Sequence, residues 1–302
     1  MDARTPALTG FRERYLAVNE GYGRPLSLAL TRRGHYSEVN CLLAAMIYGL
    51  VHHRRLIVNE SDFEGLRWSE LYHSTLPSAP LSVRDSIEPA WRDMKVGDYA
   101  FQKLRDRPKR RHDWHFPVWN SELGVHSVFS LARHLAEAFC QLADGATLPA
   151  MPDRYIAIHI RRGDKIIPGF HRGQILPPEA VDKPAADYVA AMRAKVPDVR
   201  HVWVMTDDYA AVEQLRSAAP DYTFQTMCLR SESGYTQDGF SALSTVEKLA
   251  QRKRLITETE VAIRSSAFIG PYLSNVSRFI ALRHRDPRNC FSIDRQRRWF
   301  PG

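Results

Sequence analysis

Six residues in one short run, His159, Arg161, Arg162, Gly163, Asp164 and Lys165, have the types and spacing to hold an anion. His159 lies within an apolar run at 155–160, and the other five follow directly on it. Two guanidinium groups beside a lysine suit a diphosphate, because arginine meets phosphate oxygens with paired N–H donors. Gly163 lets the backbone come close to an oxyanion. Within the run three cations stand against one acid. That surplus argues against a simple surface ion pair between Asp164 and either arginine.

Three further runs carry polar groups after an apolar stretch. In the first, Asp207 and Asp208 follow Thr206. One of them caps the next helix, or one reaches sugar or ribose hydroxyls while the other holds Arg161. In the second, Glu258 and Glu260 precede a short strand that leads through Gly270 and Pro271 to Ser274, Asn275 and Val276 at a helix start. Free N–H groups at a helix N-terminus bind phosphate, and Ser274 also suits plain N-capping. In the third, Gly34 and Tyr36 open a helix after an early strand, a second potential anion cradle. That run has one glycine, so it is not the dinucleotide fingerprint G-x-G-x-x-G.

What is missing narrows the chemistry. The chain has no G-x-x-x-x-G-K-[ST], no H-E-x-x-H and no G-x-S-x-G. These absences remove P-loop hydrolysis, zincin chemistry and the serine nucleophile elbow. None of the 19 aspartates has another two positions away, so an Asp-x-Asp metal clamp is lacking. His112 and His115 flank Trp114 without a third ligand nearby. No metal site is expected.

The elements that must position these residues read as alternating strands and helices. In the second half, strands are expected at 155–160, 202–205, 223–228 and 267–270, with helices at 185–195, 210–218, 243–264 and 275–282. In the first half, strands at 26–30 and 56–58 flank a helix at 38–50, and another helix falls near 125–142. The Gly-, Pro- and Asp-containing stretch 144–153 reads as a linker. The expected fold is α/β, with two lobes, 1–150 and 151–302, each carrying a parallel sheet, and a cleft between them. In such sheets ligands bind beyond the carboxyl ends of the strands, where the charged runs lie.

Composition fits a globular protein of 302 residues, 44% hydrophobic and 25% charged. No apolar stretch approaches the length of a membrane span, and no signal core follows the N-terminus. Cys41, Cys140, Cys228 and Cys290 form no C-x-x-C pair, and three of them sit in apolar surroundings. A soluble, cytoplasmic protein in a reducing compartment is expected. The 42 Lys and Arg against 34 Asp and Glu give a net charge of +8. Part of that surplus is local, at 103–111 and at Arg295, Arg297 and Arg298. A basic surplus suggests an anionic partner. No RRM, KH or helix-turn-helix signature accompanies it, which favours a small anionic ligand over a nucleic acid.

Together the runs resemble a known family. The segment RYIAIHIRRGDK resembles the H-x-R-R-x-D-K signature of the alpha-1,6-fucosyltransferases and the related nodulation and protein O-fucosyltransferases. VMTDD and ETEVAIRSSAFIGPYLSNVSR resemble their second and third motifs, and GHYSEVNCLLAAMIYGLVHHRRLIVNES is similar to their early G-x-G-x-Q-x-H helix and the strand after it. The resemblance implies a GT-B-type fold of two Rossmann-like lobes. It also implies transfer of fucose from GDP-fucose to a hydroxyl of a glycan or protein, with inversion and without a metal or other cofactor. It puts Arg161 on the diphosphate, Lys165 near the β-phosphate and His159 and Glu258 near guanine. Ser274 and Asn275 match the phosphate-contacting pair, and Asp207 matches an acid of the donor site. The family's base lies shortly after the lysine. Glu179 is the only glutamate in that stretch here, so the resemblance points to it. Gly163 stands where the family has Thr, Asn275 where it has Gln, and Glu38 where it has an early Gln.

Overall fold

Buried strands that alternate with helices leave a parallel sheet with helical cover as the way to bury apolar surface and satisfy the backbone together. The computed structural model describes residues 4–32, 34–78, 123, 125, 128–143, 146–167, 169–171, 174–176 and 181–294. The chain divides into two compact units, Met1–Gly145 and Ala146–Gly302. Glu179 and the basic clusters at 103–111 and 295–298 lie outside the described residues, as do His112 and His115.

The first unit runs α1 (Arg4–Gly21), β1 (Arg24–Ala29), α2 (His35–Val51), β2 (Arg54–Asn59), α3 (Trp68–Leu71) and α4 (Val128–Phe139). Strands β1 and β2 pair in parallel, with Leu26 opposite Leu56, and α2 is the crossover between them. Helix α2 starts where the Gly34 carbonyl accepts the N–H groups of Ser37 and Glu38, at 2.8 and 3.3 Å. Helix α1 occupies a stretch that reads as polar with mixed charge. Its Asn19 side chain donates to the Leu56 carbonyl at 3.0 Å and accepts the Leu56 N–H at 2.7 Å. One amide thus does for β2 what a neighbouring strand would do.

The second unit holds β3 (Ile156–Ile160), the short strands β4 (Gly169–His171) and β5 (Gln174–Leu176), then α5 (Ala185–Lys195) and β6 (His201–Thr206). It continues with α6 (Tyr209–Ala218), β7 (Thr223–Gln225), α7 (Gln237–Ala242), α8 (Thr245–Ile263), β8 (Ala267–Gly270), α9 (Asn275–Arg283) and β9 (Cys290–Ser292). The five-stranded sheet has the order β7-β6-β3-β8-β9, and every pair in it is parallel. Strand β3 lies at its centre with every residue buried.

Side chains alternate between the two faces of that sheet. Ile156, Ile158, Ile160, Val202 and Val204 join Tyr188, Met192, Val212 and Leu215 in one core on the α5 and α6 side. Ala157, His159 and Trp203 are out of phase with them and face α8 and α9. The Trp203 indole donates to the Glu258 carbonyl at 3.3 Å.

Several boundaries differ from expectation for local reasons. Strand β7 stops at Gln225, because the chain then turns where the Cys228 N–H bonds the Thr226 hydroxyl at 3.0 Å. Helix α8 begins with a capping box in which Ser244 and Glu247 bond each other's backbone N–H. Among the described residues no helix is long and apolar enough to cross a membrane. All four cysteines are free and buried.

Candidate functional site

The parallel order of β6, β3 and β8 places the ends of three strands at one sheet edge, and the charged runs of the sequence meet there. Arg161 and Arg162 follow β3, Asp207 and Asp208 follow β6, and the turn to α9 follows β8. Lys165 closes a single 3₁₀ turn, Gly163–Lys165, right after the arginines.

The expected surplus of positive charge is absent, which corrects the reading of the run in isolation. Arg161 donates from Nη1 to Asp207 and from Nη2 to Asp164 at 3.1 Å. Arg162 donates to Asp208 at 2.9 Å, to Asp182 at 3.2 Å and to Gln214 at 2.7 Å. Three cations therefore face four carboxylates. Three of these acids come from more than 15 residues away, and the fold brings them in.

The two arginines also separate. All three guanidinium nitrogens of Arg162 are spent on protein partners, so it ties α6 and Asp182 to the end of β3. Arg161 is gripped at its two terminal nitrogens, and among the described residues nothing takes up its Nε–H or the second N–H on each end.

Asp207 and Asp208 divide their work as well. Asp208 is the N-cap of α6 and accepts the Ala210 N–H at 3.0 Å. Asp207 accepts the backbone N–H groups of Arg162 at 2.9 Å and Tyr235 at 3.1 Å in addition to Arg161. With three bonds its carboxylate is an orienting group for Arg161.

Residues 229–237 form a strap across this edge that the sequence did not advertise. The Gly234 N–H donates to the Asp207 carbonyl at 2.8 Å, and the Asp164 N–H donates to the Tyr235 carbonyl at 3.0 Å. The Gln237 N–H reaches the Asp164 carboxylate at 3.1 Å. The Tyr235 ring lies 4.9 Å from the Arg161 Cζ. Gly163 has φ +61°, and a Cβ there would fall 2.2 Å from the Tyr235 carbonyl oxygen. The glycine is thus required by the strap. The available signal was a serine-glycine pair, Ser233-Gly234, in a polar segment, which marks a turn but not its destination.

His159 is buried, and its Nδ1 lies 2.7 Å from the Ser277 hydroxyl in the first turn of α9. Burial, helped by the Arg161 charge, pulls its pKa down to about 3, so the ring is neutral at physiological pH. Ser274 is the N-cap residue of α9, yet its side chain makes no capping hydrogen bond. The helix therefore starts without the hydroxyl cap expected of Ser274. The N–H groups of Val276 and Ser277 lie in the first turn, where helix geometry supplies no intrahelical acceptor.

Glu258 and Glu260 lie on different faces of α8. Glu260 forms a buried ion pair with Arg283 at the end of α9. Glu258 is 6% exposed, and among the described residues its Oε1 has no hydrogen-bond partner. Burial, together with Glu232 and Asp207, raises its pKa to about 8, against the opposing pull of Arg254. Arg254 is itself paired with Glu232 on the strap.

Gly34 and Tyr36 belong to the first unit. Gly34 is exposed at the N-cap of α2, and Tyr36 is 2% exposed beside His35, with ring centroids 5.0 Å apart. The Glu38 carboxylate accepts the Thr31 N–H at 2.8 Å and the Thr31 hydroxyl at 3.0 Å, which fixes the turn before Gly34. Val276 is half-buried in the first turn of α9. Among the described residues no group of His, Cys, Asp and Glu is placed to hold a metal ion.

No protein-family model and no curated protein sequence matches the chain. Solved structures do. POFUT1 in complex with GDP is 12% identical and aligns over 90% of this chain and 98% of its own, with a TM-score of 0.50. FUT1 of Arabidopsis thaliana, as a variant in complex with GDP, is 11% identical over 91% of this chain and 72% of its own, with a TM-score of 0.47. NodZ alpha-1,6-fucosyltransferase soaked with GDP-fucose is 12% identical over 86% of this chain and 92% of its own, also at 0.47. The expectation drawn from the motifs holds at the level of architecture: this chain has the fold of the GT-B-type fucosyltransferases.

Proposed function

We propose that the chain is an inverting, metal-independent glycosyltransferase that moves fucose from GDP-fucose to a hydroxyl of a glycan or protein. The observation that carries the reading is the buried, unpartnered carboxylate oxygen of Glu258, behind a strand edge bearing Arg161, Lys165 and the start of α9. A buried acceptor without a donor is costly, and a ligand that brings N–H groups relieves that cost. Guanine offers N1–H and N2–H side by side, and adenine has no such pair. The shared fold with POFUT1, solved in complex with GDP, supports the same donor.

In the reaction the acceptor oxygen bonds to C1 of fucose from the side opposite the phosphate. The bond from C1 to the β-phosphate oxygen breaks, and GDP departs with the electron pair. The acceptor proton passes to a carboxylate, for which the motif resemblance points to Glu179. Charge grows on the diphosphate as it leaves. Arg161, Lys165 and the N–H groups of Val276 and Ser277 stabilise it, so cations and a helix terminus do what a metal does elsewhere. Neutral His159, held by Ser277, joins the guanine side of the site without adding charge. The four buried free cysteines suit work in a reducing compartment.

A screen of nucleotide sugars, read as donor hydrolysis or transfer in the presence of EDTA, tests the reading. GDP-fucose is the expected donor, and its turnover is expected to be unchanged by the chelator. A strict need for Mn²⁺ or Mg²⁺, or preference for a UDP-sugar, contradicts the proposal.

A further inference from the structure

We propose that Tyr235 is a positioning residue that sets the plane of the Arg161 guanidinium, so that its free N–H groups point at the diphosphate. The inference rests on the assignment of Arg161 to that diphosphate. Asp207 and Asp164 hold the two ends of the guanidinium, but ion pairs at its rim leave the group free to rock about the line joining them. The Tyr235 ring supplies the missing restraint, lying 4.9 Å from Cζ, within the range at which an aromatic face attracts a cation.

The ring is itself fixed. Its residue donates its N–H to Asp207 and accepts from the Asp164 N–H, and its hydroxyl lies 3.0 Å from the Gln237 side-chain oxygen. The same two acids that grip Arg161 therefore also place the residue that covers it. Gly163 and Gly234 make this close approach possible, for a Cβ on Gly234 would fall 2.9 Å from the Gly163 Cα. A loop held so tightly against the motif, with both glycines at positive φ, has its geometry set by the motif.

Titration of GDP into the full chain tests the inference. Tyr235→Phe keeps the ring and is expected to bind within twofold of the wild type. Tyr235→Leu removes it and is expected to weaken GDP roughly 5- to 30-fold. In an Arg161→Ala background the same leucine change is expected to cost less than twofold, because its route of action is gone. Tyr235→Met replaces the leucine variant if thermal unfolding shows that variant to be unfolded. Equal GDP affinity in the leucine variant and the wild type overturns the proposal. So does an undiminished loss in the Arg161→Ala background, or a phenylalanine variant as weak as leucine. Wild-type protein that fails to bind GDP overturns the Arg161 assignment itself, which is a different result from any of these.

Discussion

Arg161→Ala is expected to slow fucosyl transfer roughly 10²- to 10³-fold while the chain stays folded. The size of the effect follows from the role. A donor aimed at charge that grows in the transition state contributes more there than in the ground state, so its loss appears in turnover. The expectation of a folded variant follows from its neighbours. Asp207 retains the N–H groups of Arg162 and Tyr235, and Asp164 retains the N–H of Gln237, so neither carboxylate is stranded.

Arg162 provides the contrast. Its guanidinium is committed to Asp182, Asp208 and Gln214, so Arg162→Ala is expected to act first on stability. Circular dichroism and steady-state rates on both variants separate the two roles. Near-normal turnover in folded Arg161→Ala removes Arg161 from the diphosphate.

Glu258→Gln is expected to weaken GDP roughly 10- to 150-fold at pH 8.5, the cost of one charged hydrogen bond to guanine. The pH matters because burial raises the Glu258 pKa to about 8. Below that value the free protein carries a neutral carboxyl group, and guanine must displace its proton to gain two acceptors. Wild-type affinity for GDP should therefore rise with pH, about tenfold per unit below 8, and level off above it. The glutamine variant has no proton to lose at this position and should not show that slope.

The same shift carries a sign for stability. A carboxyl with a raised folded-state pKa supports the fold fully below about 4.5, and that support is lost as pH rises through about 8. Glu258→Gln should accordingly unfold at a higher temperature than the wild type above pH 8. Glu260→Gln is expected to leave GDP binding unchanged and to lower thermal stability, because Glu260 pairs with Arg283 away from the strand edge. Calorimetric titration of both variants at pH 6 and pH 8.5 measures all of this. A GDP defect in Glu260→Gln and none in Glu258→Gln reverses the two roles.

What could be read from the chain depended on how local the cause was. The β3 run was legible because a fully buried central strand is continuously apolar and stops where the arginines begin. Strand β8 is the same kind of buried apolar run, and helix α5 was bounded instead by Pro184 before it and Pro197 after it. The charge state of the site was legible only in part. The reading that one of the two aspartates after β6 holds Arg161 is met by Asp207, whereas Asp182 and Asp208 reach Arg162 across the fold and no spacing rule connects them to it. Tyr235 was hidden for the same reason, since a polar loop shows no period. Helix α1 escaped because its apolar residues do not gather on one face, and β9 because three residues are too few to show alternation.

The most direct test of the central claim is calorimetric titration of the wild-type chain with GDP and, in parallel, with ADP, at pH 8.5 in EDTA. The account predicts saturable binding of GDP and at least tenfold weaker binding of ADP, because only guanine presents paired N–H donors to Glu258. Equal affinity for the two nucleotides, or no binding of GDP, would contradict it.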